Sequence, residues 1–200
     1  MICVMCRTCC VYSAVLGGVF CITSAIAPIN ANQKSSSGKS TAVVGADRGE
    51  AFEDRPADGG ILVGLEVTLG FWGVDQIVTS VQPIYGSDGP AKASKRYGIA
   101  WPNRVRVEAK SGYAVGAIQV KTSDHIDGMR VVFMRRKGDR LDPKDKYQSR
   151  WLGGTGGKKD QERDAADTKP RQLAGQGKPI IGVVGRLEQI PTAIGLIEAE

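Results

Sequence analysis

In this 200-residue chain, metal or nucleophile chemistry would fall first to five cysteines and a single histidine. The cysteines stand at Cys3, Cys6, Cys9, Cys10 and Cys21, and residues 22–200 contain none. Cys3-x-x-Cys6-x-x-Cys9-Cys10 is half of a metal knuckle. A tetrahedral site needs four ligands held by a folded loop, and no second Cys or His pair follows before His125. Ser123-Asp124-His125 unites the residue types of a hydrolytic triad, but triad members must converge in space around an oriented base. Consecutive residues point apart, and the chain has no Gly-x-Ser-x-Gly elbow, so Ser123–Gly128 reads as a hairpin turn. Asp139, Asp142 and Asp145 recur every third residue, whereas a calcium loop needs carboxylates two apart, a central glycine and a closing glutamate. Gly38-Lys39-Ser40 ends like a phosphate-binding loop, yet the position that should hold its first glycine is Gln33 and no apolar strand precedes it. Neither a catalytic residue, a metal nor a cofactor is expected.

Charge is the next source of chemistry. The net charge is +6, and Arg135, Arg136, Lys137, Arg140, Lys144 and Lys146 form its densest run, interleaved with the three aspartates. Nucleic-acid surfaces combine unpaired charge with stacking aromatics; only Tyr147 and Trp151 follow here, so no nucleic-acid partner is expected. Two readings stay open. The run is either a solvated sheet edge, charged against unwanted strand pairing, or a face for an anionic polysaccharide or the cell surface.

The elements that would position such groups begin after a leader. Arg7 is the only charge before Lys34, and the apolar run Val11–Ala27 follows it. A positive start, an apolar middle and small residues up to Ala31 make a secretory signal pattern. Residues 1–31 are read as a signal peptide, which places the protein in a secreted, periplasmic or cell-envelope location. The uncharged stretch 8–33 is also long enough to span a bilayer, and a membrane partner is expected only if it is uncleaved. Residues 32–59 are small, polar and turn-rich, and read as a flexible, disordered linker.

From Gly60 the texture changes to short apolar segments between turns. Ile61–Leu69, Gln76–Tyr85, Arg104–Lys110, Tyr113–Thr122, Gly128–Arg136, Pro179–Val184 and Ala193–Glu198 read as strands. Arg104–Lys110 alternates so that Val105, Val107 and Ala109 share one face. With no amphipathic helical segment after the leader, residues 60–200 are predicted to be one all-β domain. Gly153–Lys169, glycine-rich and then densely charged, reads as a long exposed loop.

The last 24 residues, Gly177–Glu200, carry a resemblance. They are similar to the closing strands of jacalin-related lectins, which read approximately I-V-G-F-x-G-R-x-G-x-x-L-D-A-I-G. Ile180, Gly182, Gly185, Arg186, Ala193, Ile194 and Gly195 coincide with that pattern. Gly112-Tyr113, Ile118, Met129–Phe133 and Leu152-Gly153-Gly154 resemble the family's middle strands and glycine-rich turn more loosely. The resemblance implies a β-prism of three four-stranded antiparallel sheets. It also implies sugar binding through a G-x-x-x-D loop between the last two strands, helped by a glycine near the domain start. Carried onto this chain, the implied site residues are Gly60, Gly185, Arg186, Glu188, Gln189 and Thr192. In that register Glu188 replaces the loop glycine and Thr192 the aspartate, with Pro191 removing a backbone donor. Two functional expectations follow. One is an exported, lectin-like domain binding a glycan or polysaccharide, anionic ones included, with its usual aspartate replaced. The other is a non-catalytic structural or protein-interaction module of the cell envelope, with an envelope protein as its partner.

Overall fold

The computed structural model describes residues 37–87, 89–154 and 169–200. The leader, with its cysteines, and most of the charged loop after Gly154 lie outside the described residues.

Three long hairpins organise the chain, each joining two largely apolar strands of 8 to 12 residues. They are β4 (Ile61–Trp72) with β5 (Asp75–Gly86), β9 (Tyr113–Thr122) with β10 (Ile126–Lys137), and β14 (Ile180–Leu187) with β15 (Pro191–Ala199). Each is the centre of one antiparallel sheet. The first hairpin strand pairs with one outer strand: β4 with β8 (Arg104–Glu108), β9 with β13 (Arg171–Ala174), β14 with β3 (Glu50–Asp54). The second pairs with a broken one. β5 carries β6 (Lys92–Ala93) and β7 (Tyr97–Gly98), β10 carries β11 (Arg140–Gln148) and β12 (Leu152–Gly153), and β15 carries β1 (Gly38–Ser40) and β2 (Val44–Gly45). Counting each broken strand once, the described residues form three four-stranded sheets repeating one plan: a β-prism, as the resemblance implied.

Two details of the chain enforce that repetition. Each hairpin has two register shifts, at Leu62/Gly64 and Thr68/Leu69, Ile126/Gly128 and Val132/Phe133, Ile180/Gly182 and Arg186/Leu187. Such bulges bend and twist a strand, which lets each sheet curl over the shared core. Each broken strand also has a glycine with positive φ against the hairpin backbone: Gly45 at 133°, Gly98 at 105° and Gly153 at 94°. A Cβ there would lie 2.2 Å from the Thr192 carbonyl oxygen, 2.3 Å from that of Thr79 and 2.6 Å from that of Asp127. Only glycine tolerates both the conformation and the approach.

The inward faces of all three sheets form one core. Leu65 and Val67 of β4, Val81 of β5, Ile118 of β9, Val131 and Phe133 of β10, Val183 of β14 and Leu196 of β15 all belong to it. Sheet junctions are tied by rings and hydroxyls. Phe52 stacks on Tyr97 at 4.2 Å between centroids. The hydroxyls of Tyr97 and Ser94 donate to Asp54 Oδ2 at 3.0 and 2.7 Å. Burial, followed by that bond to Asp54, pushes the Tyr97 phenol up to about 12.

Two expectations change. Residues 38–54, read as flexible linker, supply β1, β2 and β3. Their polarity is that of outer strands, where only Val44 and Asp54 are buried and most of the other residues face water. The basic run spans the β10–β11 hairpin, with β11 outermost in its sheet. Much of its charge is closed locally, because Arg135 pairs with Asp145 and Lys137 with Asp142, both at 2.6 Å. The solvated-edge reading fits this geometry.

Candidate functional site

The hairpin tips, about residues 72–75, 123–125 and 188–190, are far apart in sequence but meet at one end of the prism. The rings of Trp72 and His125 lie 4.8 Å apart between centroids. Arg48 Nη2 donates to the Asp124 carbonyl at 2.8 Å, and its Nε lies 3.8 Å from Glu188 Oε1. The turn between β2 and β3, residues 46–49, thus bridges the β14–β15 tip of its own sheet and the β9–β10 tip of another.

Ser123, Asp124 and His125 form the β9–β10 turn, closed by the Ser123 N–H donating to the His125 carbonyl at 3.0 Å. The Ser123 hydroxyl donates to Asp127 Oδ1 at 2.7 Å, whereas the His125 ring packs on Trp72. Burial, and then the nearby Arg48 charge, lowers the His125 pKa, favouring a neutral ring. Burial raises that of Asp127. Among the described residues, no three His, Cys, Asp or Glu side chains are grouped to hold a metal ion.

The six residues drawn from the resemblance divide among four surroundings. Gly185 and Arg186 line a groove of about 520 Å³ beside Asp47 and Ala193. Arg186 Nε contacts Asp47 Oδ1 at 2.6 Å, and its Nη1 donates to the Gly49 carbonyl at 3.1 Å. Glu188 and Gln189 stand on the tip's other side and line a second cavity of about 530 Å³. Thr192 is fully buried, its hydroxyl donating to the Arg48 carbonyl at 2.7 Å. It fastens the 46–49 turn to β15 and presents nothing to solvent. Gly60 precedes β4, with its N–H donating to Asp58 Oδ1 at 3.3 Å. Since β4 runs 12 residues from Ile61 to Trp72, Gly60 lies roughly 40 Å from the tips. The glycine that does adjoin the last loop is Gly49, with φ 83° against the Leu187 carbonyl.

Sequence reasoning missed Phe71, Trp72, Ile99 and Trp101 in the lining of the second cavity, which His125, weighed there only as a triad member, also joins. Phe71 and Trp72 are 60% and 63% exposed, Trp101 is 42% exposed and Val74 at the tip 92%. The signal was present, since two large aromatic residues directly before a Gly73 turn have no strand face left to bury them. Trp101 is placed by the strap after β7. The Ile99 N–H donates to the Thr79 carbonyl, and Thr68 Oγ1 donates to the Ile99 carbonyl, both at 3.0 Å. A Cβ on Gly70 would sit 3.2 and 3.3 Å from the indole's two bridging carbons. The indole therefore packs closely on glycine backbone while the residue stays partly open to solvent.

No protein-family model and no curated protein matches the sequence. Solved structures do match. Frutapin, a lectin from Artocarpus incisa, superposes with a TM-score of 0.59 at 14% identity, covering 83% of this chain and 99% of its own. The mannose-binding lectin from Champedak gives 0.56 at 16% identity over 83% and 99%. Artocarpin in complex with mannotriose gives 0.56 at 16% identity over 82% and 99%. The chain therefore has the β-prism fold of the jacalin-related lectins, on a sequence far diverged from theirs.

Proposed function

We propose that this chain is an exported, non-catalytic carbohydrate-binding protein, with its sugar site where the three hairpin tips meet. The observation that carries the reading is the last tip itself. Between β14 and β15 it gathers Asp47, Arg48, Arg186, Glu188 and Gln189 from segments about 140 residues apart, all at least partly exposed. Carboxylates accept from sugar hydroxyls, while guanidinium and amide groups donate to them. The Champedak lectin is named for mannose and artocarpin was solved with mannotriose, which makes neutral mannosides the first ligands to try. A second reading also has an observation behind it. The position expected to carry the sugar-binding aspartate holds Thr192, whose hydroxyl is committed to the Arg48 carbonyl, as suits an interaction module of the cell envelope that lost the sugar.

A glycan array with the full chain separates the two. Saturable binding that free sugar competes away, and that weakens about tenfold or more in Asp47→Ala and Arg186→Ala, supports the lectin reading. A blank across neutral and anionic glycans favours the interaction module. Binding that vanishes in high salt whatever the glycan points to diffuse attraction to polyanions.

A further inference from the structure

The end of the prism opposite the hairpin tips holds a reactive point in the backbone. β3 ends at Asp54 and β4 begins at Ile61, and residues 55–60 carry the chain from one sheet to the next. Within that connection stands Asp58-Gly59, one of three Asp-Gly pairs in the sequence. An aspartyl carboxyl can close a five-membered ring on the following backbone nitrogen. Glycine favours the closure because no side chain shields that nitrogen. The other pairs are Asp88-Gly89, whose Asp88 lies outside the described residues, and Asp127-Gly128 in β10.

Several observations single out Asp58. Its side chain is 55% exposed, with Lys92 Nζ of β6 as a loose partner 3.7 Å from Oδ2. Its Oδ1 accepts from the Gly60 N–H at 3.3 Å. That bond closes an Asx turn, a loop of atoms that runs through the Gly59 nitrogen and keeps the carboxyl folded over the Gly59 peptide. Gly59 has a φ of 72°, and a Cβ built on it would meet nothing within 4 Å. Its N–H reaches the Pro56 carbonyl at 3.4 Å, beyond the usual length of such a bond. The nitrogen is therefore open to approach and weakly held.

Asp127-Gly128 has the same two residues in the opposite surroundings. Asp127 is buried, and its Oδ1 accepts from the Ser123 hydroxyl at 2.7 Å. Its carbonyl accepts from the Gly154 N–H at 2.9 Å, and Gly128 pairs with Lys121 on one side and Gly153 on the other. A Cβ on Gly128 would meet the Gly154 carbonyl oxygen at 2.4 Å. This peptide is fixed in its ladder and reacts only when the ladder opens.

We propose that Asp58-Gly59 is a modification site, at which aspartate isomerises spontaneously to isoaspartate. The Gly59 nitrogen attacks Asp58 Cγ. The amide proton and the carboxyl hydroxyl leave as one water, and a succinimide ring forms. Water then adds to one of the two ring carbonyls. Addition at Cγ breaks the new bond and restores aspartate. Addition at the Asp58 main-chain carbonyl carbon breaks the original peptide bond and leaves the chain running through Cβ and Cγ. The backbone is then one methylene longer, and the negative charge sits on a free α-carboxylate. The contacts to Gly60 and Lys92 are lost, because the carboxyl that made them has become backbone. The connection between the two sheets loosens at this end, far from the hairpin tips.

For the test, the full chain is held folded in mildly acidic buffer for several weeks, then digested and mapped by mass spectrometry. Two products containing Asp58 are expected: a succinimide peptide lighter by one water, and a peptide of unchanged mass but altered retention. The second should accept a methyl group from an isoaspartyl carboxyl methyltransferase. Isoaspartate should accumulate about a hundredfold faster at Asp58 than at Asp127, which reacts only in its opened fraction. In denaturant the two rates should converge. Asp58→Glu keeps the charge and should abolish the product, because its ring would need six members. Gly59→Ala should slow it several-fold, and both variants are checked for a folded circular dichroism spectrum. No isoaspartate at Asp58, or equal accumulation at Asp58 and Asp127 in the folded chain, would overturn the proposal.

Discussion

The two sides of the last hairpin tip are built from different material. On the Arg186 side the groups are charged and closed on each other: Arg186 holds Asp47 at 2.6 Å, and Asp47 remains 87% exposed. On the Gln189 side Trp72, Phe71 and Trp101 keep large faces in water. Exposed ion pairs are worth about 0–1 kcal/mol and exchange partners readily, so the groove can trade its internal contacts for sugar hydroxyls at small cost. Aromatic faces have no such substitute contact, and covering them releases water from apolar surface. On the proposed carbohydrate reading, orientation and hydroxyl recognition fall to the Arg186 side and apolar contact to the Trp72 side.

Breaking what the two sides share should have the largest effect on stability. Thr192 is buried beneath both, and its hydroxyl pins the Arg48 carbonyl. Thr192→Val keeps the shape and removes the donor, so unfolding in urea should show a loss of roughly 1–2 kcal/mol. Sugar binding on both sides should weaken together, because the 46–49 turn carries Asp47 and Arg48. If only one side suffered, the shared-frame account would be wrong.

A smaller effect, confined to the aromatic side, comes from His125. Its folded pKa lies below the ordinary 6.5, first through burial and then through Arg48, against the opposing charges of Asp124, Glu188 and Asp127. Below 6.5 the unfolded chain therefore takes up a proton that the folded chain resists, so stability rises with pH across that window. The stability is fully present above 6.5 and is lost as the pH falls toward the depressed value. His125→Gln should flatten this part of the pH–stability curve, as read from melting temperatures between pH 5 and 7.5. An unchanged slope would remove His125 as its source.

The fold was legible wherever a strand is central. The strands of all three hairpins, β4, β5, β9, β10, β14 and β15, were read as apolar segments between turn residues, because both neighbours and the core constrain their sequences. The strands that escaped, from Gly38–Ser40 to Arg171–Ala174, are all outermost in their sheets. There one edge and one face meet water, and charges and glycines replace the apolar period. Arg104–Glu108 is the outer strand that was read, since Arg-Val-Arg-Val-Glu keeps its alternation. The candidate site was legible only in part. Gly185, Arg186, Glu188 and Gln189 were reached through the resemblance, and the structure sets them around one tip. Gly60 was misplaced because a glycine's position in the sequence does not say which end of a strand it lies on. Trp72 and Trp101 stayed hidden because their meeting depends on three hairpins converging, which no local spacing encodes.

The central claim is that a neutral saccharide binds where the hairpin tips meet. Backbone amide chemical shifts of the full chain during titration with mannotriose test it without any substitution. The account predicts saturable shifts confined to residues 46–49, 71–74, 99–101, 123–125 and 186–190, with the basic β10–β11 hairpin from Arg135 to Lys146 unmoved. Shifts centred on that basic hairpin, or none at all at saturating sugar, would contradict it.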